Sequence, residues 1–383
     1  TIVLARGDKH ETLTVDTEIK TARKNELRTF DAKVNTALLK LSRERRTAYL
    51  TVGHGELNDP DSLGPMAQKF PDARAAKAKQ ALVDQNYKVE KLGLTDLAID
   101  VPEDATLVVV LAPRTPLHDG EIAALGRYID RGGALMFVLD PGGEATLGAL
   151  EGKLGVRFDA SELTDDKYFE PMRRAPTDRR LVLSNQFSAH ASVTQLSRGA
   201  AQSGMLLVNS GTLRDRDFEG YAQDKAPKRT YVMRSMDNSW ADLNDNLTFD
   251  EGSEKRDKYN IVAVIEGPAP EADAAASDDD KPAKKPTGFR AMVVADGDMF
   301  TDLLLERVPL ANAFVNDAYK WLGGEEVLAG EVVSEKDVFI QHTRSKDQVW
   351  FYLSMAGAPF LVLGLGLVLT RKRRRPVSQK RAS

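Results

Sequence analysis

Three short segments hold the residue types that chemistry needs. Gly53-His54-Gly55-Glu56 sets an imidazole and a carboxylate among glycines, Asp140-Pro141-Gly142-Gly143 adds one carboxylate, and Asp296-Gly297-Asp298 adds two. Carboxylates with one imidazole can hold Mg²⁺ or another divalent ion. The same residues also suit plain turns, because glycine takes dihedrals closed to other residues and aspartate caps a helix or closes its own turn. The spacing is diagnostic of neither role, so both readings stay open. Gly53, His54, Gly55 and Glu56 form the candidate ligand-facing loop, with Asp140, Asp296 and Asp298 as neighbours. No catalytic set, metal or cofactor is assigned to them.

Other chemistries fail on the residues themselves. The chain has no cysteine, which excludes a thiolate nucleophile, a disulfide framework and a Cys-based zinc site. There is no G-x-S-x-G elbow. The nearest text to a phosphate loop, GALEGKLG from Gly148, has the wrong spacing and Leu154 after its lysine, so ATP hydrolysis is not expected. His10-Glu11 is followed by Thr-Leu-Thr and makes no H-E-x-x-H motif. The five histidines are scattered, and His118 is expected to contribute to a helix start.

The candidate segments follow elements that read as an α/β domain over residues 47–345. The run 48–52 is a strand that delivers the Gly53 loop, and a helix over 72–86 leads to a strand at 87–92. Within 104–112 lies a continuous apolar run, the pattern of a strand covered on both faces. A helix over 118–133 stops at Gly132-Gly133, where glycine supplies the left-handed cap. The apolar strand 134–139 ends at Asp140, and a helix is expected over 144–154. Strand alternating with helix, with glycine-rich exits, predicts a mostly parallel sheet flanked by helices. Further strands are expected at 181–187, 204–210, 259–267 and 289–295, and a helix at 309–322. The polar stretch 211–258 gives no clear pattern. Residues 268–286 hold no sizeable apolar side chain and read as a disordered insert within the domain.

Charge and hydropathy set the ends apart. The net charge is −4, but residues 371–383 contribute +7 and no acidic group, leaving −11 on everything before them. An acidic body argues against nucleic acid as a partner. Residues 349–370, VWFYLSMAGAPFLVLGLGLVLT, carry no charge. A helix of that length is about 33 Å long, enough to cross a bilayer core of roughly 30 Å. Trp350 and Tyr352 suit one interface, and RKRRR from Arg371 suits the cytoplasmic side of the other. The expectation is a transmembrane helix at 349–370, a basic cytoplasmic tail at 371–383 and a periplasmic head on a bacterial cytoplasmic membrane. Residues 1–46 read as a hairpin and then a helix, with Leu27, Phe30, Val34, Leu38 and Leu41 at helical spacing. The abrupt start at Thr1 is expected to follow an upstream membrane anchor.

The order of segments resembles the GldG-like family, auxiliary components of ABC-type transport systems linked to gliding motility. The resemblance rests on FDAKVNTALLKLSRER leading into TAYLTVGHGE, and on LAPRTPLHDGEIAALGRYIDRGGALMFVLDP before LGVRFDAS. VVADGDMF, ANAFVNDAYKWLGGEE and the terminal span complete it, over roughly residues 27–370. It implies a fold like the class I glutamine amidotransferases, a related domain in intraflagellar transport proteins, and permease and ATPase subunits as partners. It brings no catalytic set, and the amidotransferase activity needs a cysteine that this chain lacks. The expected function is a non-catalytic, membrane-anchored accessory subunit that binds a partner protein or exported ligand. The alternatives are a metal-dependent hydrolase or a glycan-binding module of the cell envelope.

Overall fold

The structure is a computed structural model that describes residues 2–7, 9–14, 45–58, 75–200, 204–222, 225–268 and 288–324, with scattered helical positions in 30–41 and 352–369. The chain divides into two compact units, Thr1–Val332 and Val333–Ser383.

The first unit opens with an antiparallel hairpin, β1 (Ile2–Arg6) against β2 (Lys9–Leu13), as the sequence predicts. Then come β3 (Arg46–Val52), helix α1 (Ala76–Asp84), β4 (Tyr87–Gly93), α2 (Leu94–Ile99) and β5 (Ala105–Leu111). Helix α3 (Asp119–Asp130), β6 (Ala134–Val138), α4 (Leu150–Leu154), β7 (Val156–Asp159) and β8 (Glu162–Thr164) follow. Next are β9 (Leu181–Ser184), β10 (Gln186–Phe187), α5 (Thr194–Gly199), β11 (Met205–Val208), β12 (Thr212–Asp215), β13 (Lys228–Arg234) and β14 (Trp240–Asp242). The unit closes with β15 (Asn260–Glu266), β16 (Arg290–Val294), α6 (Asp302–Arg307) and α7 (Pro309–Leu322).

Ten of these strands make one sheet in the order β10-β13-β15-β16-β6-β5-β3-β4, with β12 beside β15 and β7 beside β12. The sheet is mixed. Pairings from β4 through β3, β5 and β6 to β16 are parallel, whereas those among β16, β15, β13 and β10, and those of β12, are antiparallel. The expectation of a mostly parallel sheet therefore describes one half of it.

The parallel half forms because its strands are apolar on both faces. Along β5 the side chains alternate: Leu107, Val109 and Leu111 enter one core with Leu82 of α1 and Phe314 and Trp321 of α7. Val108 and Val110 enter the other core with Ile122, Leu125 and Ile129 of α3. All five β5 side chains are fully buried, each stabilising the fold by about 1.5–3 kcal/mol relative to exposure. Both ends of α7 are well terminated. Pro309 occupies its first turn, where no N–H is needed. At the other end the Arg290 guanidinium donates to the Trp321 carbonyl at 2.5 Å and that of Arg46 to the Gly323 carbonyl at 2.7 Å, cations placed against the negative end of the helix dipole.

Several elements differ in extent from the expectations. The helix expected over 144–154 is regular only at Leu150–Leu154, and the stretch 211–258 contains β12, β13 and β14. Around 27–46, the described positions Phe30, Lys33, Val34, Ala37, Leu38 and Leu41 are helical, with Ala37 and Leu41 buried. Of the expected insert 268–286, all but Pro268 lies outside the described residues, as does the whole tail 371–383.

In the second unit, the described positions between 352 and 369 are helical. Tyr352, Leu353, Met355, Phe360, Leu363, Leu365 and Leu369 there are each 54–73% exposed. Among the described residues no helix is long and apolar enough to cross a membrane, and most of the expected span 349–370 lies outside them.

Candidate functional site

Each candidate loop leaves the carboxyl end of a strand in the parallel half, where open α/β sheets present ligands. Strand β3 ends in Gly53 and Gly55, both at positive φ (121° and 77°), which fold the chain sharply across the sheet end. Leu57 then donates its N–H to the Leu111 carbonyl at 3.0 Å, tying the loop to the end of β5.

The turn carries His54 inward, where it is 4% exposed. Three neighbouring segments hold it. The Glu56 Oε2 accepts from the His54 backbone N–H at 2.9 Å, and the His54 carbonyl accepts from the N–H groups of Arg114 and Thr115 at 2.8 and 3.1 Å. Its Nε2 meets the Glu121 Oε2 at 2.8 Å. That same oxygen accepts the His118 N–H at 2.7 Å, the reach-back of a capping box at the start of α3. Glu121 Oε2 therefore faces the ring as an acceptor, which assigns the proton to Nε2. The Nδ1 then points toward the Thr115 hydroxyl, 3.4 Å away, and the His118 ring stands edge-on at 5.5 Å between centroids.

Glu56 and Glu121 are almost fully buried, and each uses only one of its oxygens. The Oε1 of each meets no donor among the described residues. Glu56 is thus a support beneath His54 and not a ligand-facing group.

Above His54 lies an open cleft of about 530 Å³, lined by Gly53, His54, Leu94, Thr115, Leu117 and His118 together with Pro116 and Asp119. Its wall is apolar on the side of Leu94, Pro116 and Leu117. Thr115 and Glu121 were absent from the candidate residues, yet they complete this site. Their signal was faint: His118-x-x-Glu121 ahead of an apolar helical run has capping-box spacing.

The other three candidates form a separate, closed corner. Asp140 Oδ1 accepts from the Gly142 N–H at 2.8 Å and its Oδ2 from the Gly297 N–H at 3.1 Å, joining the β6 and β16 exits. Asp296 is fully buried and accepts from the N–H of Val208 at 3.0 Å and of Met299 at 3.3 Å. Burial pushes the Asp296 carboxyl well above the ordinary range, and the charges of Asp298 and Asp140 push the same way. Burial also raises Asp140, opposed by its two backbone donors and the Arg114 charge. The carboxylates of Asp140 and Asp296 are turn and strap groups. Among the described residues no group of three or more His, Asp or Glu side chains could hold a metal ion.

No curated protein matches the chain. Among solved structures it is similar to one titled "mmIFT52 N-terminal domain", with 15% identity and a TM-score of 0.47 over 74% of this chain and 99% of that one. It is also similar to "Exo-beta-1,4-mannosidase Op5Man5 from Opitutaceae bacterium strain TAV5", with 11% identity and a TM-score of 0.36 over 79% of this chain and 40% of that one. A family model matches residues 45–328, well over half of the length and every one of the candidate loops. The chain belongs to the family of auxiliary components described as an ABC-type uncharacterized transport system.

Proposed function

We propose that the chain is a non-catalytic, membrane-anchored accessory subunit of its transport system, of the GldG-like kind associated with gliding motility. The α/β head, read as a relative of the class I glutamine amidotransferase fold without its cysteine, stands on the periplasmic side of the cytoplasmic membrane. There it binds a partner protein or exported ligand through the cleft over His54. The partners are a polytopic permease and an ATPase, and the basic tail 371–383 lies in the cytoplasm.

The observation that carries the anchoring is the stretch 349–370. It has no charge, is closed by RKRRR, and turns every described large apolar side chain outward, from Tyr352 to Leu369. Seven such side chains exposed together suit a lipid phase far better than water. The non-catalytic role draws support from the two exits. One is closed by backbone hydrogen bonds, and the other holds its imidazole against Glu121.

A phosphatase reporter and a fluorescent reporter, each fused after Ser383 of the full chain, test the arrangement together with membrane fractionation. The fluorescent fusion is expected to be bright, the phosphatase fusion inactive, and the chain to sediment with membranes until detergent is added. An active phosphatase fusion, or a chain that stays in the aqueous fraction, would overturn the proposal.

A further inference from the structure

We infer that strand β4 is a dimerisation edge, pairing with β4 of a second copy of this chain in an antiparallel register centred on Val89. This surface is separate from the cleft over His54, and the inference needs no ligand there.

Strand β4 closes one side of the large sheet. It pairs in parallel with β3, and among the described residues no other strand pairs with it. Such an edge offers a row of backbone N–H and C=O groups to any strand that matches it. Charged side chains normally deter that pairing, and β4 carries Lys88, Glu90 and Lys91. The order of these charges decides which strand they deter.

Two copies of one edge strand, laid antiparallel, are related by a two-fold axis through the sheet. Each face of the sheet then continues into the same face of the second copy. The axis passes through one residue, and residues equally far before and after it oppose each other. Centred on Lys88, Glu90 or Lys91, the axis sets a charge against its own like. Centred on Val89, it sets Lys88 against Glu90 twice and leaves Val89 facing itself as a β-branched cross-strand pair.

The side chains stand where this register needs them. Leu92 enters the core that holds α3, whereas Val89 packs against the core that holds α1, so Lys88 and Glu90 share the Leu92 face. Within one chain the Lys88 Nζ meets the Glu90 Oε1 at 2.9 Å, and the two side chains are 55% and 41% exposed. Both are therefore open to a second copy, and in the dimer their two ion pairs merge into one four-charge cluster. Exposed apolar side chains bracket the strand, Val83 before it and Leu94 after it. Charge thus admits the chain's own edge in one register and opposes the neighbouring registers.

The test is sedimentation equilibrium of the full chain in mild detergent, with a charge swap. The unsubstituted chain is expected to dimerise. Lys88→Glu sets two like pairs across the axis and should raise the dimer Kd about tenfold, and Glu90→Lys should do the same. Both should weaken it although they move net charge in opposite directions. The double variant K88E/E90K restores opposite signs and should return the Kd to within about threefold of the original. Circular dichroism and the melting temperature of each variant check that these exposed positions leave the fold intact.

Crosslinking gives the register. The chain has no cysteine, so Val89→Cys supplies its one thiol, which faces its own copy across the axis and should form an intermolecular disulfide under mild oxidation. Lys91→Cys should not, since its counterpart stands four residues along the strand, about 13 Å away. A chain that stays monomeric, or a dimer that Lys88→Glu leaves unchanged, would overturn the inference and leave this edge to another subunit. So would a double variant no tighter than the single ones, or a disulfide from Lys91→Cys and none from Val89→Cys. The charge-swap series decides even if a cysteine variant fails to fold.

Discussion

The β3 exit and the β6–β16 corner carry the same residue types at the same end of the same sheet, and they do different work. At the corner, Asp140 and Asp296 spend their oxygens on backbone N–H groups of Gly142, Gly297, Val208 and Met299. At the β3 exit, the carboxylates of Glu56 and Glu121 hold a histidine, and that histidine floors an open cleft. The difference lies in what the carboxyl groups touch. A carboxylate bonded to its own turn closes a surface, whereas one bonded to an imidazole orients that ring toward whatever lies above it.

Four substitutions sharpen the contrast. The largest effect is expected from Glu121→Ala, which removes the acceptor of both His54 and His118 inside a buried network. It should cost about 3 kcal/mol in a urea titration. A loss under about 1 kcal/mol would show that the pair does not hold the loop. Next comes Gly53→Ala, at φ 121° with the Leu94 side chain 2.5 Å from the new methyl, expected to cost about 2 kcal/mol by thermal melting.

Asp296→Asn tests the closed corner through pH. Its carboxyl is raised, so the folded state holds the proton more tightly than the unfolded chain does. That contribution is fully present below the unfolded pKa of about 4 and is lost as pH rises through the raised folded value. Stability against pH, measured by urea titration, should therefore fall less steeply above about pH 4 in the variant. An unchanged slope would place the proton elsewhere. Thr115→Ala, which loses two long contacts of 3.4 Å, to the Nδ1 and the carbonyl oxygen of His54, should shift stability by less than about 0.5 kcal/mol in the same assay.

The parallel half was readable because strands buried on both faces appear as unbroken apolar runs, as at Ala105–Leu111 and Ala134–Val138. Helix α7 was readable from Pro309 through its apolar spacing to Gly323-Gly324. The antiparallel half was not. Strand β13 reads KRTYVMR with mixed burial and register shifts around Met233, and β14 is three residues long, so neither shows a clean alternation. At the site, glycine and histidine marked the β3 exit, but Glu121 stands 67 positions from His54 and only the fold brings them together. Glu56 looked ligand-facing because of its neighbours in sequence, while the positive φ of Gly55 turns the chain so that it supports His54 from below.

Quantitative co-purification of the full chain from native membranes in mild detergent, read by mass spectrometry, tests the central claim most directly. The account predicts an ATPase and a polytopic permease recovered at a fixed ratio to the chain. Recovery of the chain alone, under conditions where a known transporter complex from the same membranes stays intact, would contradict it.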